Sequence, residues 1–423
     1  MQPETVDEVG TAGWRGLLAG FPALGHRNFR RFVVGQGISL VGFWMQSVAQ
    51  GWLVFRLSGS ALALGVVSAA GTLPILCLAP VAGVLVDHVN RHRLLMVTQT
   101  ILMLLTLGLA ILVATGIATV PLVVVAATGV GVVSALDVPA RQAFLVQMSG
   151  TDDLPSAIAL NASIFNAARV LGPAIAGMLV TALGEAPCFF LNAASYLAAL
   201  AALAGMELPA SPVGPSRAVG MGFWSGLRYV RRERALRGLL LLLGVVGAFG
   251  LQYQVLMPVF AQRVFGRGPA GYGLLLTAGG LGALASALHL ASRRHSRRDH
   301  RRHLVAGLVL FAGGVLGLGL TPWFALALPL QAIAGFGMIR YTATTNTLLQ
   351  LLVDDRYRGR VMGLHTVMFI GTAPAGGLVL GALAQRFGAP TAALLSGTIL
   401  LGAAGWLATR LRRIRSGHSI ASR

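Results

Sequence analysis

Long apolar runs separated by short polar turns recur along almost the whole of the 423-residue chain. Because about 20 apolar residues in a helix cross the hydrocarbon core of a bilayer, each such run predicts a membrane-spanning helix. Twelve runs are long enough, and they cover residues 32–55, 61–86, 94–114, 119–140, 157–182, 187–205, 237–259, 271–292, 303–321, 323–350, 361–385 and 391–410. The pattern predicts an all-α polytopic membrane protein with both termini on one side.

One long connection interrupts this series and separates two groups of six spans. The predicted order is an N-terminal segment (1–31), a six-helix half (32–205), a linker (206–236), a second six-helix half (237–410) and a tail (411–423). In the linker, Phe223, Leu227 and Val230 share one helical face among arginines. That arrangement predicts a short amphipathic helix lying on the membrane surface, and a solvated run of charges is the alternative.

The two halves resemble each other weakly, which predicts pseudo-symmetry between them. Gln147, Asp152-Asp153 and Pro173 recur in the same order, at a nearly constant offset, as Gln350, Asp354-Asp355 and Pro374. Repeated halves of a membrane carrier face each other across a central site, so we expect the functional residues at that interface. Chance similarity between two Gly- and Ala-rich spans is the alternative.

The composition supports the membrane interpretation and excludes several classes of function. Only 11% of the residues are charged and 55% are hydrophobic. All 33 basic residues are arginines, so the chain lacks the lysine that a Walker A loop or a Schiff base needs. Nor does the sequence contain a catalytic or metal-binding motif. We therefore expect a protein that is not an enzyme and has neither cofactor nor metal.

The distribution of the arginines predicts the orientation of the chain. If the N-terminus is cytoplasmic, 27 of the 33 arginines fall on the cytoplasmic side and only Arg56, Arg263, Arg267 and Arg386 on the other. Such an asymmetry is typical of the positive-inside rule. We therefore expect a multi-pass protein of the cell membrane with both termini cytoplasmic. The basic charge is then directed at anionic lipid, and nucleic-acid binding is not expected.

The loop between the second and third spans carries a motif, "GVLVDHVNRHR". Gly83, Asp87 and Arg91 resemble the signature of the major facilitator superfamily at this position, with Asn90 in place of a second glycine. Asn tolerates the left-handed conformation that such a glycine adopts. The resemblance implies a gate whose ion pairs and helix caps break when the halves rock. A simple positively charged turn is the alternative.

The fifth span and its neighbours resemble the drug:proton antiporter branch of that superfamily, which includes macrolide and enterobactin exporters. Gly172, Pro173 and Gly177 match its Gly-Pro motif, which implies a bent, closely packed helix, and "DVPARQ" at 137–142 also matches. The resemblance implies a monomeric secondary transporter that exports a small amphiphilic molecule by alternating access in exchange for protons. The alternatives are an uptake carrier or facilitator for a small metabolite, and a non-transporting membrane sensor or lipid scramblase.

Three ionisable residues within the spans are candidates for proton coupling, because charges inside a bilayer are costly and usually functional. The antiporters often carry an arginine near the outer half of the fourth span, and this chain has no charged residue in that region, residues 120–131. Asp137 and Arg169 are predicted at similar depth on neighbouring helices, where an ion pair between them would take or release a proton as hydration changes. A static structural pair is the alternative. Arg340 is the counterpart in the second half.

Polar residues near the predicted midplane are candidates for the substrate cavity, together with the aromatic residues Trp44 and Phe249. They are Gln46, Gln50, Asn166, Gln252 and Tyr253. Hydrogen bonds between helices are an equally good interpretation of these side chains.

Overall fold

The structure, a computed structural model, describes residues 21–150, 152–206, 222–292 and 297–420. Its first six long helices are α1 (Arg27–Ser58), α2 (Ala61–His88), α3 (Arg91–Ala114), α4 (Val120–Ser149), α5 (Leu154–Leu183) and α6 (Ala186–Ala204). A short α7 (Gly222–Arg232) follows in the linker. The second six are α8 (Arg234–Val264), α9 (Gly268–Ala291), α10 (Arg297–Leu320), α11 (Phe324–Leu352), α12 (Arg358–Phe387) and α13 (Ala389–Ile420).

All twelve predicted spans are present, and helices pack in the same pairs in both halves. In the first half α2 packs on α4, and α3 packs on α4 and α6. In the second half α9 packs on α11, and α10 packs on α11 and α13. The prediction of an all-α membrane bundle in two pseudo-symmetric six-helix halves is confirmed.

The turns define two faces of the bundle. The arginine-rich side contains the ends of α2, α4 and α6 together with α7, and the arginine-poor side contains the opposite ends. On the arginine-rich side Asn90 has an extended backbone, and its Oδ1 accepts a hydrogen bond from the Arg93 N–H at 3.0 Å. Asn90 therefore does not adopt the left-handed conformation that asparagine tolerates. This residue instead caps the N-terminus of α3, whose first N–H groups have no partner within the helix.

Helix α8 is irregular, and α12 is interrupted by a turn over residues 370–372 between its segments Arg358–Phe369 and Ala373–Phe387. A π-turn over Val246–Gly250 leads into a 3₁₀ segment over Leu251–Leu256, and a second π-turn covers Phe260–Val264. Backbone groups freed by such turns need partners inside a membrane. Ser396 of α13 supplies one, because its Oγ donates to the Phe249 carbonyl at 2.6 Å. The irregularity rotates the side chains of α8 away from the positions that a regular helix would give.

Helix α7 packs against the second half of the protein. Val230 is only 4% exposed, and the Tyr229 ring stacks on the Tyr357 ring with centroids 4.3 Å apart. The Tyr229 hydroxyl also accepts a 3.4 Å hydrogen bond from the Asp354 N–H. Val230 is thus covered by protein, and the face of α7 that contains it packs on the second half. The Phe223 side chain, assigned to the same face, lies outside the described residues.

The halves meet through two helix pairs whose backbones approach closely. A Cβ at Gly65 on α2 would overlap the carbonyl of Gly377 on α12. A Cβ at Gly273 on α9 would lie 2.6 Å from the carbonyl oxygen of Pro173 on α5. Small residues permit such approach, and packing rather than hydrophobic exclusion holds helices together in lipid. Both contacts lie toward the arginine-poor side.

Close packing within the second half gives a stability prediction. We expect Gly282→Ala to lower the free energy of unfolding by about 1–3 kcal/mol, because the new Cβ would overlap the Ala332 carbonyl and force α9 from α11. The control, Gly313→Ala on α10, places its Cβ where no atom lies within 4 Å. It should leave stability unchanged or raise it by up to about 1 kcal/mol through helix propensity. Thermal unfolding of the purified protein measures both, and equal melting temperatures for the two variants would contradict the assignment.

Candidate transport cavity

A cavity of about 660 Å³ lies between the two halves. Most of its wall comes from α1, α2, α4 and α5, and α8 and α9 close it from the second half. At the arginine-poor end the wall contains Val54 and Tyr272, which are 0% and 5% exposed. At the other end it reaches Gln142, which is exposed, and Asn161 near the start of α5. The cavity therefore opens toward the arginine-rich side.

Two side chains of the second half hold the α1–α2 turn and seal the arginine-poor end. The Arg263 guanidinium on α8 donates to the Gly59 carbonyl at 2.5 Å and lies over the Phe55 ring. The Gln385 Oε1 on α12 accepts from the Ala61 N–H at 2.9 Å. The turn itself requires Gly59, whose φ is +59°. We call Arg263, Gln385 and this turn the clamp.

The Gly-Pro motif of the fifth span lies at the junction of three helices. A Cβ at Gly172 would lie 2.5 Å from the Cβ of Trp44, so Gly172 permits α5 to approach α1. Pro173 and Gly177 instead face Gly273 on α9 in the second half. Helix α5 is continuous through Pro173, so the motif acts in close packing between the halves.

Asp137 is a buried carboxylate in the cavity wall, 2% exposed and fully hydrogen-bonded. Its Oδ1 accepts from Thr98 Oγ1 and from Gln99 Nε2, both at 2.8 Å, and its Oδ2 pairs with the Arg141 guanidinium. Arg141 lies one turn along the same helix, and α3 supplies the other two donors. The predicted pair with Arg169 is therefore wrong, because a partner at i+4 lies closer than any on α5.

Arg169 lines the same cavity as Asp137 but has different surroundings. Its guanidinium lies 5.8 Å from the centre of the Trp44 ring and 3.9 Å from the Met338 Sδ. Among the described residues, no carboxylate lies within 4 Å of it. The predicted depth agrees with the structure, but α5 turns this side chain toward α1 and α11 and not toward α4.

Arg340 lies on α11 in the second half, outside the cavity wall. Its guanidinium is over the Phe336 ring at 5.8 Å from the centroid. Arg340 is therefore the counterpart of Arg169 in its position along the chain, but unlike Arg169 it does not line the cavity.

The polar residues predicted for the cavity divide into two groups. Gln46 and Gln50 of α1 line it, and Gln46 also accepts a hydrogen bond from the Asn192 side chain on α6. Asn166 does not line it, because its Nδ2 donates to the Ala162 carbonyl of its own helix at 2.8 Å. The cavity-facing side of α5 carries Asn161, Phe165 and Arg169 instead.

Gln252 and Tyr253 are also misassigned, and the irregular turns of α8 are the reason. Gln252 Oε1 accepts from Ser68 Oγ at 3.3 Å in the contact between halves. Tyr253 is 1% exposed, and its hydroxyl donates to Gln331 Oε1 at 2.7 Å within the second half. The 3₁₀ segment turns Gln254 and Val255 toward the cavity in their place.

The predicted gating motif lies where α2 meets α3 on the arginine-rich side. Gly83 has open space around it, since no atom lies within 4 Å of the position of a Cβ. Arg91 begins α3, and the Asp87 side chain lies outside the described residues. The motif is thus positioned at the end toward which the cavity opens.

Sequence reasoning missed the partners of Asp137. Arg141 was quoted only within a motif, although its spacing of four residues from Asp137 is the signal for a pair on one helix face. Thr98 and Gln99 gave no signal, because polar residues in a span are as often structural. Gln142 and Asn161 were overlooked at the ends of their spans.

The similarity of the chain to known proteins agrees with this architecture. Residues 18–423 match the family model described as "transmembrane secretion effector". The chain belongs to the transmembrane secretion effector family. A multidrug efflux pump, Tap, of Mycolicibacterium fortuitum is 29% identical over 90% of this chain and 93% of its own length. The enterobactin exporter EntS of Shigella boydii is 25% identical over 89% of this chain and 90% of its own.

Solved structures support the same fold. A bacterial homologue of the human lysosomal transporter Spinster, in an inward-facing and occupied conformation, superposes with a TM-score of 0.72. It is 14% identical, and the match covers 91% of this chain and 96% of that one. The family member described here therefore has the major facilitator fold that the loop motif indicated.

The corrected ion pair gives the second prediction. We expect Arg141→Met to destabilise the protein by about 1–3 kcal/mol, because the buried Asp137 carboxylate loses its charged partner. Asp137→Asn in the same chain should restore much of the loss, because an amide needs no counter-charge. Arg169→Met is the control and should show no such coupling to Asp137→Asn. Melting temperatures of the single and double variants measure the coupling. The assignment would be reversed if the effects of Arg141→Met and Asp137→Asn were additive while those of Arg169→Met and Asp137→Asn were coupled.

Proposed function

We propose that this protein exports small amphiphilic molecules from the cytoplasm by alternating access, in exchange for protons. The observation that carries the proposal is the cavity between the halves, sealed at one end by the clamp and containing the buried Asp137 carboxylate. We further propose that it acts as a monomer.

The charge asymmetry supports the direction of loading. Under the positive-inside rule the arginine-rich side is cytoplasmic, so the cavity opens to the cytoplasm in this conformation. A substrate then enters between the halves, and export requires the clamp to open and the arginine-rich ends to close. The close contacts at Gly65 and Gly273 lie on the sealed side, so the helices would separate there as the clamp opens.

The lining of the cavity supports an amphiphilic substrate. The aromatic side chains of Phe43, Trp44 and Phe165 form one patch of the wall. The Trp44 ring centroid lies 5.7 Å from that of Phe43 and 5.6 Å from that of Phe165. Neutral polar groups such as Gln46 and Gln50 lie beside them. Mostly apolar pockets with a few polar groups bind amphiphiles through area rather than through many hydrogen bonds. The named activities of the Tap and EntS relatives favour export over uptake on the same fold.

Asp137 is the proposed proton carrier. In the described conformation its carboxylate is an ion-pair partner of Arg141, which is the state left after a proton has departed. Because Asp137 lines the cavity, a proton released there reaches the arginine-rich side through the same opening. Reprotonation on the other side then requires the Arg141 side chain, which is on the same helix and lines the cavity, to move away from Asp137.

The third prediction concerns coupling. In cells that express the protein, accumulation of a fluorescent amphiphile should fall, and a proton uncoupler should restore it. Asp137→Asn should abolish uncoupler-sensitive efflux while the protein remains in the membrane, because the amide cannot carry a proton. The matched control is Asp153→Asn, which removes an ion pair with His26 at the surface of the arginine-rich side and should retain efflux.

Two outcomes would contradict this proposal. Uncoupler-sensitive efflux that persists in Asp137→Asn would exclude this residue as the carrier. Accumulation unaffected by expression of the wild-type chain, across drug-like and siderophore-like probes, would exclude export.

The fourth prediction concerns the clamp. In a cysteine-free background with Ser47→Cys in the cavity wall, Arg263→Ala should raise the rate of labelling by an impermeant thiol reagent added to intact cells. The loss of one hydrogen bond worth about 1 kcal/mol predicts an increase of about fivefold. Arg386→Ala, on the same side but stacked over Phe387, is the control and should label at the original rate. An unchanged rate in Arg263→Ala would show that other contacts seal this end.

A further inference from the structure

We propose that Arg169 and Trp44 form an anion-binding subsite in the cavity wall, and that the transported amphiphiles are aromatic monoanions. The statement that these molecules are transported rests on the proposed function. The subsite itself is a property of the cavity and is tested by binding alone.

The charge inventory of the cavity wall is the first step. Its charged members are Asp137, Arg141 and Arg169, and the other lining residues are neutral. Asp137 and Arg141 pair with each other and cancel. The remaining guanidinium of Arg169 gives the wall a net charge of one positive unit. A cavity with that charge attracts anions and repels cations of the same size.

The surroundings of Arg169 are the second step. A buried guanidinium is normally paired with a carboxylate, because desolvating an unpaired charge is costly. Here its contacts are the Trp44 ring and the Met338 sulfur, which are weak acceptors. The guanidinium presents five N–H donors in a planar fork that fits a carboxylate or sulfonate. The described part of the chain provides no carboxylate partner for this guanidinium, and an anionic ligand would be that partner.

Trp44 adds a second donor and a surface for an aromatic ring. Its indole Nε1–H is buried and has no hydrogen-bond acceptor among the described residues. Its ring contacts Phe43 and Phe165 at right angles, which leaves an aromatic corner beside the cation. An anionic group on Arg169 and an aromatic body against this corner satisfy both parts of the site.

The polar groups nearby do not compete for the cation. Gln46 is engaged with Asn192 on α6, and the Asp137 carboxylate is saturated by three donors. The Tyr253 hydroxyl, which interacts electrostatically with Arg169, is neutral and donates its proton to Gln331. The Gly172 position, where a Cβ would strike Trp44, fixes the distance between α5 and α1 and so holds Arg169 and Trp44 together. The subsite is thus built into the helix packing and does not depend on a loop.

Two probes with one ring system and opposite charge test the subsite. They are 1-naphthalenesulfonate and (1-naphthylmethyl)trimethylammonium, titrated into the full-length protein in lipid nanodiscs with calorimetric detection. We expect the anion to bind at least about tenfold more tightly than the cation. Arg169→Gln should abolish that preference, Arg169→Lys should restore part of it, and Trp44→Phe should weaken anion binding while retaining the preference.

The matched control is Arg340→Gln, which removes an arginine of α11 that lies outside the cavity wall and should leave the preference unchanged. Equal binding of both probes to the wild-type protein, or a preference that survives in Arg169→Gln, would overturn the subsite. Efflux of the same probes from cells separates the two proposals. Charge-selective binding without efflux would contradict export and keep the subsite, whereas efflux of the cation in preference to the anion would keep export and overturn the subsite.

Discussion

The close backbone approach of the two halves near the arginine-poor side is the contact on which the rest of the structure depends. Where α2 meets α12 and α5 meets α9, glycines bring carbonyl groups within a distance that any Cβ would obstruct. The halves therefore touch over part of their length and diverge over the remainder. The divergence creates the cavity, and the cavity allows charged and polar side chains to lie at membrane depth without facing lipid.

The charges inside the bundle follow from that arrangement. Asp137 and Arg141 form a pair along one helix, held by donors from α3, and the pair has no need of a partner across the cavity. Arg169 stands apart on α5, against aromatic and sulfur surfaces. The paired carboxylate and the cation without a counter-charge among the described residues therefore have different surroundings. In the proposed mechanism, their separation on α4 and α5 assigns proton coupling and substrate recognition to different groups within one cavity.

The sequence predicted the architecture well because hydrophobic length and arginine placement respond to the bilayer itself. All twelve spans and the two-half arrangement follow from that single constraint. The site was predicted less well, because it depends on the direction in which each side chain points around its helix axis. Arg169 was predicted at the right depth but beside the wrong neighbour. Gln252 and Tyr253 point away from the cavity because of a 3₁₀ segment in α8, which no local sequence pattern predicts. The pairing of Asp137 with Arg141 was readable from spacing alone.

Distances between paired spin labels test the central claim, that the halves separate at the glycine contacts as the arginine-rich ends close, so that the two ends open in alternation. One pair, Ser60→Cys with Gly388→Cys, spans the arginine-poor side, and another, Val89→Cys with Ser292→Cys, spans the arginine-rich side. The account predicts that a shift from neutral to acidic pH, applied to the full-length protein in nanodiscs, lengthens the first distance and shortens the second in the same fraction of molecules. Distances that stay fixed, or that change at one end without the other, would contradict it.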